Sequence, residues 1–301
     1  MLFRIRELLK RSWFYLQCRS ILSTPPVQVV QDDFKIVSLV SHRDLIMYLA
    51  AVKSFYGAVG RGQVITLSDG SLTATDKEIL SRHIAGGRIC DIVDVDTGRC
   101  PKGGCWERLL FIAGCVSNSF VVQLDSDTVT LGPLPEVLES VAQNRSFTLG
   151  TWMGREITTA EAIAHQMKSY ESEHVQVVAE QNLEKLEGSG HLKYVRGSAG
   201  FAGFAAGSFS REEIEHISEN MERLIGKRWK EWGSEQVMSN LMVANSEEAT
   251  ILPYPRYCNF MPQTRHEECC FLHFVGTYRF KKGIYARKVT SIVSKLWTEQ
   301  R

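Results

Sequence analysis

Phe120-Val121-Val122-Gln123-Leu124-Asp125-Ser126-Asp127 is a largely apolar run that ends in two aspartates. Five residues rich in β-branched and aromatic side chains predict a buried strand, and the polar residues after them mark its carboxyl end. Two carboxylates one residue apart at that end can both turn toward one hard divalent cation. A motif this short also arises by chance. A second pair, Asp94 and Asp96, is followed by Gly98, and we interpret it as part of a solvent-exposed loop.

Strands and helices alternate before this stretch. Lys35 to Val40 and Gln63 to Leu67 are predicted strands, each followed by a helical pattern, and a third strand is predicted at Arg88 to Val93. Trp106 to Val116 is a predicted helix that leads into the acidic strand. The alternation predicts an α/β fold class: a single Rossmann-like domain whose mainly parallel central sheet is flanked by helices. Ligands of such sheets bind at the carboxyl ends of the strands.

The second half of the chain is less regular. Residues 157–186 are mostly polar and are predicted to be helical. Gly197 to Gly207 is so dense in small residues that we expect its backbone to pass close to a ligand or to another element. It lacks the Gly-Lys-Ser/Thr of a phosphate-binding loop. Two helix starts are marked by capping residues, Thr73 or Thr75 in the first half, and Ser210 here.

Composition limits the functions that the chain can have. It has 301 residues, of which 44% are hydrophobic and 23% charged, and its formal net charge is +1. Domains that bind nucleic acid through bulk electrostatics are clearly basic, so we expect no nucleic-acid partner. The eight cysteines show no paired spacing, which predicts free thiols and a cytoplasmic location. A zinc site that uses Cys100 and Cys105 stays open as an alternative.

Both ends of the chain are basic. Residues 1–27 form a predicted amphipathic arm, in which Leu2, Ile5, Leu9, Trp13 and Leu16 recur at helical spacing. We expect the arm either to pack on its own domain or to lie on an anionic membrane surface, since the chain has no run of about 20 apolar residues. Residues 281–301 form a second basic helix, which leaves 28–280 as the predicted catalytic domain. Peripheral membrane contact through the two helices stays open as an alternative.

Four separated segments occur in an order that points to one family. They are Leu124 to Asp127, Ser198 to Gly200, Trp232 to Phe260 with its Glu-Gln helix start, and His273 to Arg279. Together they resemble the glycosyltransferases of the GT-A fold, most closely glycosyltransferase family eight, which contains glycogenin and bacterial lipopolysaccharide galactosyltransferases. The resemblance spans most of residues 35–280. It departs from the family at Glu235, where Asp is usual, and at Ser198 and Arg279, which replace Asn and Lys.

The resemblance implies a set of site residues. Asp125, Asp127 and His273 would hold Mn²⁺ or Mg²⁺, which binds the two phosphates of a nucleotide-sugar. The fold binds the base and ribose where the first strand ends, so the implied donor-binding residues begin there: Val40, Ser41, His42, Asp44, Arg108, Ser126, Ser198, Ala199, Gly200, Gly276 and Arg279. Two local roles stay open as alternatives, because Asp44 could cap a helix and Arg108 could be a capping or solvated arginine.

The same resemblance implies the reaction. Glu235 and Gln236 would lie near the anomeric carbon, and a hexose would pass from UDP to a glycan, lipid-linked or other acceptor with retention of configuration. Glu235 could also cap its own helix. Trp152, Trp229 and Trp232 are candidates for stacking on sugar rings. Two other functions stay open: a glycoside hydrolase using Asp125 and Glu235 as its carboxylate pair, and an inactive binding protein with the same fold.

Overall fold

The computed structural model describes residues 2–32, 34–151 and 153–298, with side chains described from residue 8 onward. Trp152 therefore lies outside the described residues, as do the side chains of Leu2 and Ile5.

The described residues form a mixed α/β structure. Its strands are β1 Val27–Gln28, β2 Phe34–Val40, β3 Gln63–Ser68, β4 Ile84–Ala85, β5 Arg88–Asp91, β6 Phe120–Leu124, β7 Thr128–Thr130, β8 Phe147–Gly150, β9 Ile157–Thr159, β10 Lys193–Val195, β11 Gly197–Phe204, β12 Thr250–Leu252, β13 Tyr257–Asn259 and β14 Phe271–His273. Its helices are α1 Leu2–Cys18, α2 Leu45–Val59, α3 Ala74–His83, α4 Trp106–Val116, α5 Pro135–Ala142, α6 Ala160–Met167, α7 Val175–Glu180, α8 Arg211–Ile225, α9 Ser234–Asn245 and α10 Ile284–Thr298.

Seven strands form the central sheet in the order β12-β8-β11-β6-β2-β3-β5. The neighbours β12 and β8 are parallel, and so are β6, β2, β3 and β5. Strand β11 lies antiparallel to both of its neighbours, β6 and β8. A second sheet, β13-β14-β7, lies beside the carboxyl end of β6. The predicted fold class is confirmed, with β11 as the antiparallel strand of a mainly parallel sheet.

Two apolar layers cover the two faces of the sheet. Successive residues of one strand belong to different layers, as Ile36 and Val37 do in β2 and Val122 and Val121 in β6. The first layer includes α2 and α10, and the second includes α4, α8 and α9. Because a strand's side chains alternate between its faces, this division shows a sheet buried on both sides. A sheet of this kind leaves its strand ends as the accessible places for ligands.

Most elements predicted before residue 130 are confirmed. The helix 106–116 and the strand 120–124 have the predicted limits. Thr73 caps α3 in a reciprocal pair of hydrogen bonds with Asp76, and Ser210 caps α8 in the same way with Glu213. The strand predicted at 88–93 ends earlier, at Asp91, where a 3₁₀ turn begins. The loop prediction for the second Asp-x-Asp pair is also confirmed, since Asp94 and Asp96 are exposed.

The prediction that 157–186 is helical is confirmed only in part. The segment contains the short strand β9, the two short helices α6 and α7, and a 3₁₀ turn at Leu183–Lys185. Thr159 caps α6, and the His174 side chain accepts a hydrogen bond from the Gln176 backbone N–H at the start of α7. Two separate caps begin two separate helices, because residues 168–174 offer no apolar face to continue one.

Helix α1 packs against α10. Phe14 stacks on Tyr285 with ring centroids 4.5 Å apart, and Cys18 is buried beside it. On the outward face of α1, Leu9, Trp13 and Leu16 are each more than 60% exposed. The arm therefore packs on its domain and still presents an apolar outer face. Among the described residues, no helix combines the length and the apolar character needed to cross a bilayer.

Candidate active site

Three distant segments meet at the carboxyl end of β6. Strand β14 pairs with β7 so that His273 lies opposite Thr128, and the Phe274 N–H donates to the Asp127 carbonyl over 2.9 Å. On the other side, the Asp125 N–H donates to the Gly200 carbonyl over 2.9 Å. Backbone hydrogen bonds thus fix the two aspartates between β11 and β14. Their side chains share one corner of the structure with the imidazole of His273.

Asp125, Asp127 and His273 form a candidate metal centre. Nε2 of His273 lies 3.2 Å from Oδ1 of Asp127 and 3.8 Å from Oδ2 of Asp125, and one potential ligand atom from each residue lies within 4.8 Å of the others. Within the part of the chain that the structure describes, this is the one group of three or more His, Cys, Asp or Glu side chains so arranged. Two carboxylates and an imidazole suit Mn²⁺ or Mg²⁺.

A neighbouring amide orients the imidazole. Nδ1 of His273 lies 2.8 Å from Oδ1 of Asn259, and this amide oxygen can only accept a hydrogen bond. Nδ1 is therefore assigned as a donor, and Nε2 is the nitrogen that faces the aspartates and would bind a cation held between them. Burial opposes protonation of His273, but the charge of Asp127 raises its pKa. All eight cysteines are free thiols, and Cys100 and Cys105 belong to no group of three potential ligands among the described residues.

Gly200 makes room for the imidazole. A Cβ atom built on this glycine would lie 2.5 Å from Nε2 of His273, and closer still to Nδ1 and Cε1. Separations below 3.0 Å are essentially never seen for real Cβ atoms. The register of β11 against β8 also shifts between Ser198 and Ala202, which bulges the strand beside the site. The predicted close approach at the glycine-rich segment is therefore that of His273 to the backbone.

Two arginines pair with the acidic groups. Nη2 of Arg279 lies 2.5 Å from Oδ2 of Asp127, and Arg108 bonds Asp125 through Nη1 and Glu235 through Nη2, the latter over 3.3 Å. Burial opposes ionisation of Asp127, yet His273 and Arg279 hold its pKa at about 2. Burial raises the pKa of Glu235 to about 7, although Arg108 favours its carboxylate. The site thus consists of carboxylates that are each paired with an arginine, largely shielded from solvent.

These contacts decide three alternatives left open by the sequence. Arg108 is buried and bridges two carboxylates, so it is neither solvated nor a helix cap. Glu235 does not cap α9, because the cap residue is Gly233 and no side chain bonds the first turn. Asp44 occupies the cap position of α2, but its Oδ2 accepts from the Ser41 hydroxyl and not from the helix backbone.

A cavity of about 390 Å³ opens over the metal centre. Most residues that the sequence proposes for the site line it: Arg108, Asp125, Asp127, Ser198, Ala199, Gly200, Glu235, Gln236, His273, Gly276 and Arg279. Five others do not line it: Val40, Ser41, His42, Asp44 and Ser126. Val40 is buried, and Nδ1 of His42 lies 2.7 Å from Oδ2 of Asp76. The structure thus brings the metal-ligand candidates and the Glu-Gln pair together, while the end of β2 lies outside the cavity.

Sequence reasoning missed part of the cavity wall. Thr151, His174 and Gln176 line it, and the last two come from the segment 157–186, which the sequence analysis predicted to be helical without placing it at the site. Trp232 lies at the cavity with 73% of its surface exposed, and its ring meets that of His174 edge-on at 6.2 Å. Trp229, by contrast, is fully buried. A polar segment with a lone histidine carries no local signal that it returns to the site.

Comparisons with known proteins identify the fold. No family model and no curated protein matches the chain. Among solved structures, the bifunctional glycosyltransferase WbbM aligns at 14% identity over 91% of this chain and 53% of its own, with a TM-score of 0.54. GlyE of Streptococcus pneumoniae aligns at 12% identity over 90% of this chain and 64% of its own, with a TM-score of 0.50. The galactosyltransferase LgtC, in complex with donor and acceptor sugar analogues, aligns at 11% identity over 87% of this chain and 95% of its own, with a TM-score of 0.47.

The chain spans less than two thirds of the WbbM and GlyE chains. At identities this low, the likeness concerns the fold and not the activity. Membership of glycosyltransferase family eight stays a prediction. The chain has the GT-A fold of nucleotide-sugar glycosyltransferases, with a candidate metal centre at the end of β6.

Proposed function

We propose that this protein is a metal-dependent glycosyltransferase of family eight that moves a hexose from a UDP-sugar to a glycan or lipid-linked acceptor, with retention of anomeric configuration. The observation that carries the proposal is the cluster of Asp125, Asp127 and His273, at the strand end where α/β sheets bind ligands. A divalent cation held there would neutralise the charge that develops on the leaving diphosphate. The mixed oxygen and nitrogen ligand set favours Mn²⁺ over Mg²⁺.

The chain's own cations support a diphosphate ligand. Arg279 is three quarters buried at the cavity wall, and its guanidinium contacts one of the two aspartates. Nε of Arg279 donates to the Phe274 carbonyl and Nη2 to Asp127, which leaves further guanidinium N–H groups, those of Nη1 among them, for the oxygens of a diphosphate that approaches Asp127. Residues Val40, Ser41, His42 and Asp44, at the end of β2, remain the proposed contacts for base and ribose beyond the cavity.

The arrangement of carboxylates favours transfer over glycoside hydrolysis. A hydrolase pair must face each other across a glycosidic bond. Here Asp125 and Glu235 bond two nitrogens of the same arginine, so they are grouped around a cation. Gln236 is too weak a nucleophile to form a glycosyl intermediate. We therefore propose a front-face reaction, in which the acceptor hydroxyl attacks on the side of the leaving group and passes its proton to a phosphate oxygen.

Trp232 and His174 support a sugar acceptor. Their rings meet at the cavity near Gln236, and the Trp232 side chain is largely exposed. Aromatic faces bind the apolar faces of sugar rings, while the imidazole can donate to a hydroxyl. Replacing Trp232 with Ala should raise the acceptor KM on the order of tenfold and leave the donor KM unchanged, because the lost contact is worth about 1–1.5 kcal/mol. An unchanged acceptor KM would place the acceptor elsewhere.

Helix α1 supports a membrane-associated substrate. Leu9, Trp13 and Leu16 project outward from a helix that also carries Lys10 and Arg11. Exposed apolar residues flanked by basic ones are typical of helices that lie on anionic bilayers. We propose a cytoplasmic enzyme that works at such a surface.

Thermal unfolding with a panel of nucleotide-sugars tests the donor. With Mn²⁺ and a ligand at about 100 times its Kd, binding adds about 2.7 kcal/mol to the free energy of unfolding, or roughly 5 °C in Tm. We expect this shift for UDP-hexoses and not for the same donors without metal. Released UDP is then measured by chromatography, and NMR of the product reports its anomeric configuration.

Asp127→Asn should abolish the metal-dependent shift and UDP release. Asp96→Asn is the matched control, because it changes the second residue of the other Asp-x-Asp pair, in an exposed loop. Full UDP release by the Asp127→Asn variant would refute the metal assignment. No shift and no UDP release in the wild type would favour a binding protein, and release of sugar from glycans without any nucleotide would favour the hydrolase.

A further inference from the structure

A row of buried polar side chains lies behind Gln236. Its Nε2 donates to Oε1 of Gln176 over 3.0 Å, and Nε2 of Gln176 donates to Oε1 of Glu180 over 2.9 Å. Glu180 is fully buried, and it also accepts from the Tyr194 hydroxyl and from Nε of Arg196. The row therefore runs from a buried ion pair to the candidate catalytic glutamine. We call these residues, Arg196, Glu180, Gln176 and Gln236, the relay.

The ion pair sets the direction of every hydrogen bond in the relay. Burial raises the pKa of Glu180, but the Arg196 guanidinium favours its carboxylate form. As a carboxylate beside Arg196, Glu180 can only accept, so Gln176 must turn its NH₂ group toward it. The carbonyl oxygen of Gln176 then faces Gln236 and can accept a hydrogen bond only from the NH₂ group of Gln236. The remaining atom, Oε1 of Gln236, is turned to the β11 side of the cavity, where it lies 3.4 Å from the Ala199 N–H. The Ala199 N–H donates to this oxygen, so the ion pair and this N–H favour the same orientation of the Gln236 amide.

The orientation of that amide has a chemical consequence. In glycosyl transfer the anomeric carbon becomes electron-poor as the bond to the leaving phosphate breaks. A carbonyl oxygen directed at that carbon stabilises the developing positive charge, whereas an NH₂ group would oppose it. We propose that Gln176 and Glu180 are positioning residues that hold Oε1 of Gln236 toward the donor sugar. This inference rests on the proposed transferase function.

The relay acts on the side chain of Gln236 and not on its helix. Helix α9 is anchored one turn later by Asn240, whose Nδ2 donates to the Tyr194 hydroxyl and to the Gly197 carbonyl, both over 3.3 Å. Glu180 keeps Arg196 and Tyr194 as partners if Gln176 is lost. Removing the Gln176 amide should therefore leave the Gln236 amide with its long contact to the Ala199 N–H, and so freer to rotate, without detaching α9 or leaving the carboxylate unpaired.

Gln176→Leu tests the relay, with Gln181→Leu as the matched control. Gln181 directly follows α7, and its amide donates to the backbone carbonyls of Met167 and Tyr170. In Gln176→Leu, kcat should fall on the order of tenfold while the donor KM and the Mn²⁺ affinity stay unchanged. In a Gln236→Ala background the same change should have no further effect, since the group it positions is gone. An equal loss in both backgrounds would overturn the proposal.

A second measurement decides the relay without turnover. The side-chain NH₂ resonances of Gln236, identified in ¹⁵N-labelled protein by their absence in Gln236→Ala, should shift in Gln176→Leu and stay in place in Gln181→Leu. Glu180→Gln keeps the shape of the side chain but can donate, so it should move the same resonances even if Gln176→Leu folds poorly. Unmoved resonances would overturn the relay. Absence of any sugar transfer by the wild type would instead refute the proposed function and leave the NMR result to decide the orientation.

Discussion

Replacing Gly200 with Ala should separate metal binding from folding. The added methyl carbon would lie 2.5 Å from Nε2 of His273, whereas ordinary van der Waals contact begins at 3.4 Å. Strand β11 is hydrogen-bonded on both sides, so the imidazole has to move instead. The difference between 3.4 Å and 2.5 Å means that Nε2 must move by about 0.9 Å or more. Metal–ligand distances tolerate only about 0.2 Å. We expect Mn²⁺ affinity to fall on the order of tenfold to a hundredfold, or about 1.4–2.8 kcal/mol.

Gly203→Ala is the control for overpacking. A Cβ atom on Gly203, in the same strand, would lie 2.5 Å from Cδ1 of Phe147, which is buried away from the cavity. Both variants should lose about 1–3 kcal/mol of unfolding free energy from overpacking. Only Gly200→Ala should lose Mn²⁺ affinity, measured by titration calorimetry or by EPR of free Mn²⁺. If Gly200→Ala binds Mn²⁺ as the wild type does, or if Gly203→Ala loses as much affinity, the imidazole is not the ligand.

Three further predictions concern stability and the membrane. Burial, with a contribution from the nearby Lys53, lowers the pKa of His83 from 6.5 to about 4. Between these two pH values the unfolded chain binds more protons than the folded one. The free energy of unfolding should therefore drop by about 3 kcal/mol as the pH falls from 6.5 to 4. Urea titrations at pH 7 and pH 4.5 measure the drop, and a His83→Gln variant with the same drop would contradict it. Arg108→Met leaves two carboxylates without their shared cation and should lower the free energy of unfolding by about 3–5 kcal/mol. Adding Glu235→Gln removes one of the two charges and should restore part of this stability. If the urea midpoint of the double variant is no higher than that of Arg108→Met, the loss is not a charge effect. Trp13→Ser should reduce the fraction of protein that sediments with vesicles containing phosphatidylserine. Val93→Ser changes another exposed apolar residue and should leave that fraction unchanged. An equal reduction in both variants would argue against a specific membrane-binding face on α1.

Local sequence signals predicted the first half of the fold well. The strand at 120–124 and the helix at 106–116 depend on runs of apolar residues and on the residues that end them, and both act over a few positions. The glycine density at 197–207 correctly predicted a close approach. It could not say what approaches, because His273 belongs to a distant strand. Patterns within one segment report burial and turns but not the partner across the sheet.

Only those residues of the candidate site that belong to a recognisable sequence motif could be predicted. Asp125 and Asp127 were visible because two acidic residues follow a strand. Gln176 was not, since a polar residue on a short helix has the same signal whether it faces water or a buried carboxylate. The side-chain contact between Arg108 and Glu235 was hidden for a similar reason. A charged residue at a helix start is ordinarily read as a cap, and only the tertiary contact shows otherwise.

The antiparallel placement of β11 between β6 and β8 has a consequence for folding. Strand β6 is followed in the chain by β7, α5 and β8, yet its sheet neighbour on that side is β11, which comes only after residue 196. His273 joins later still, through the pairing of β14 with β7. Pairings between such distant segments close long loops and form slowly. During synthesis, the edge of β6 therefore stays open until β11 has emerged, and the acidic corner is completed last.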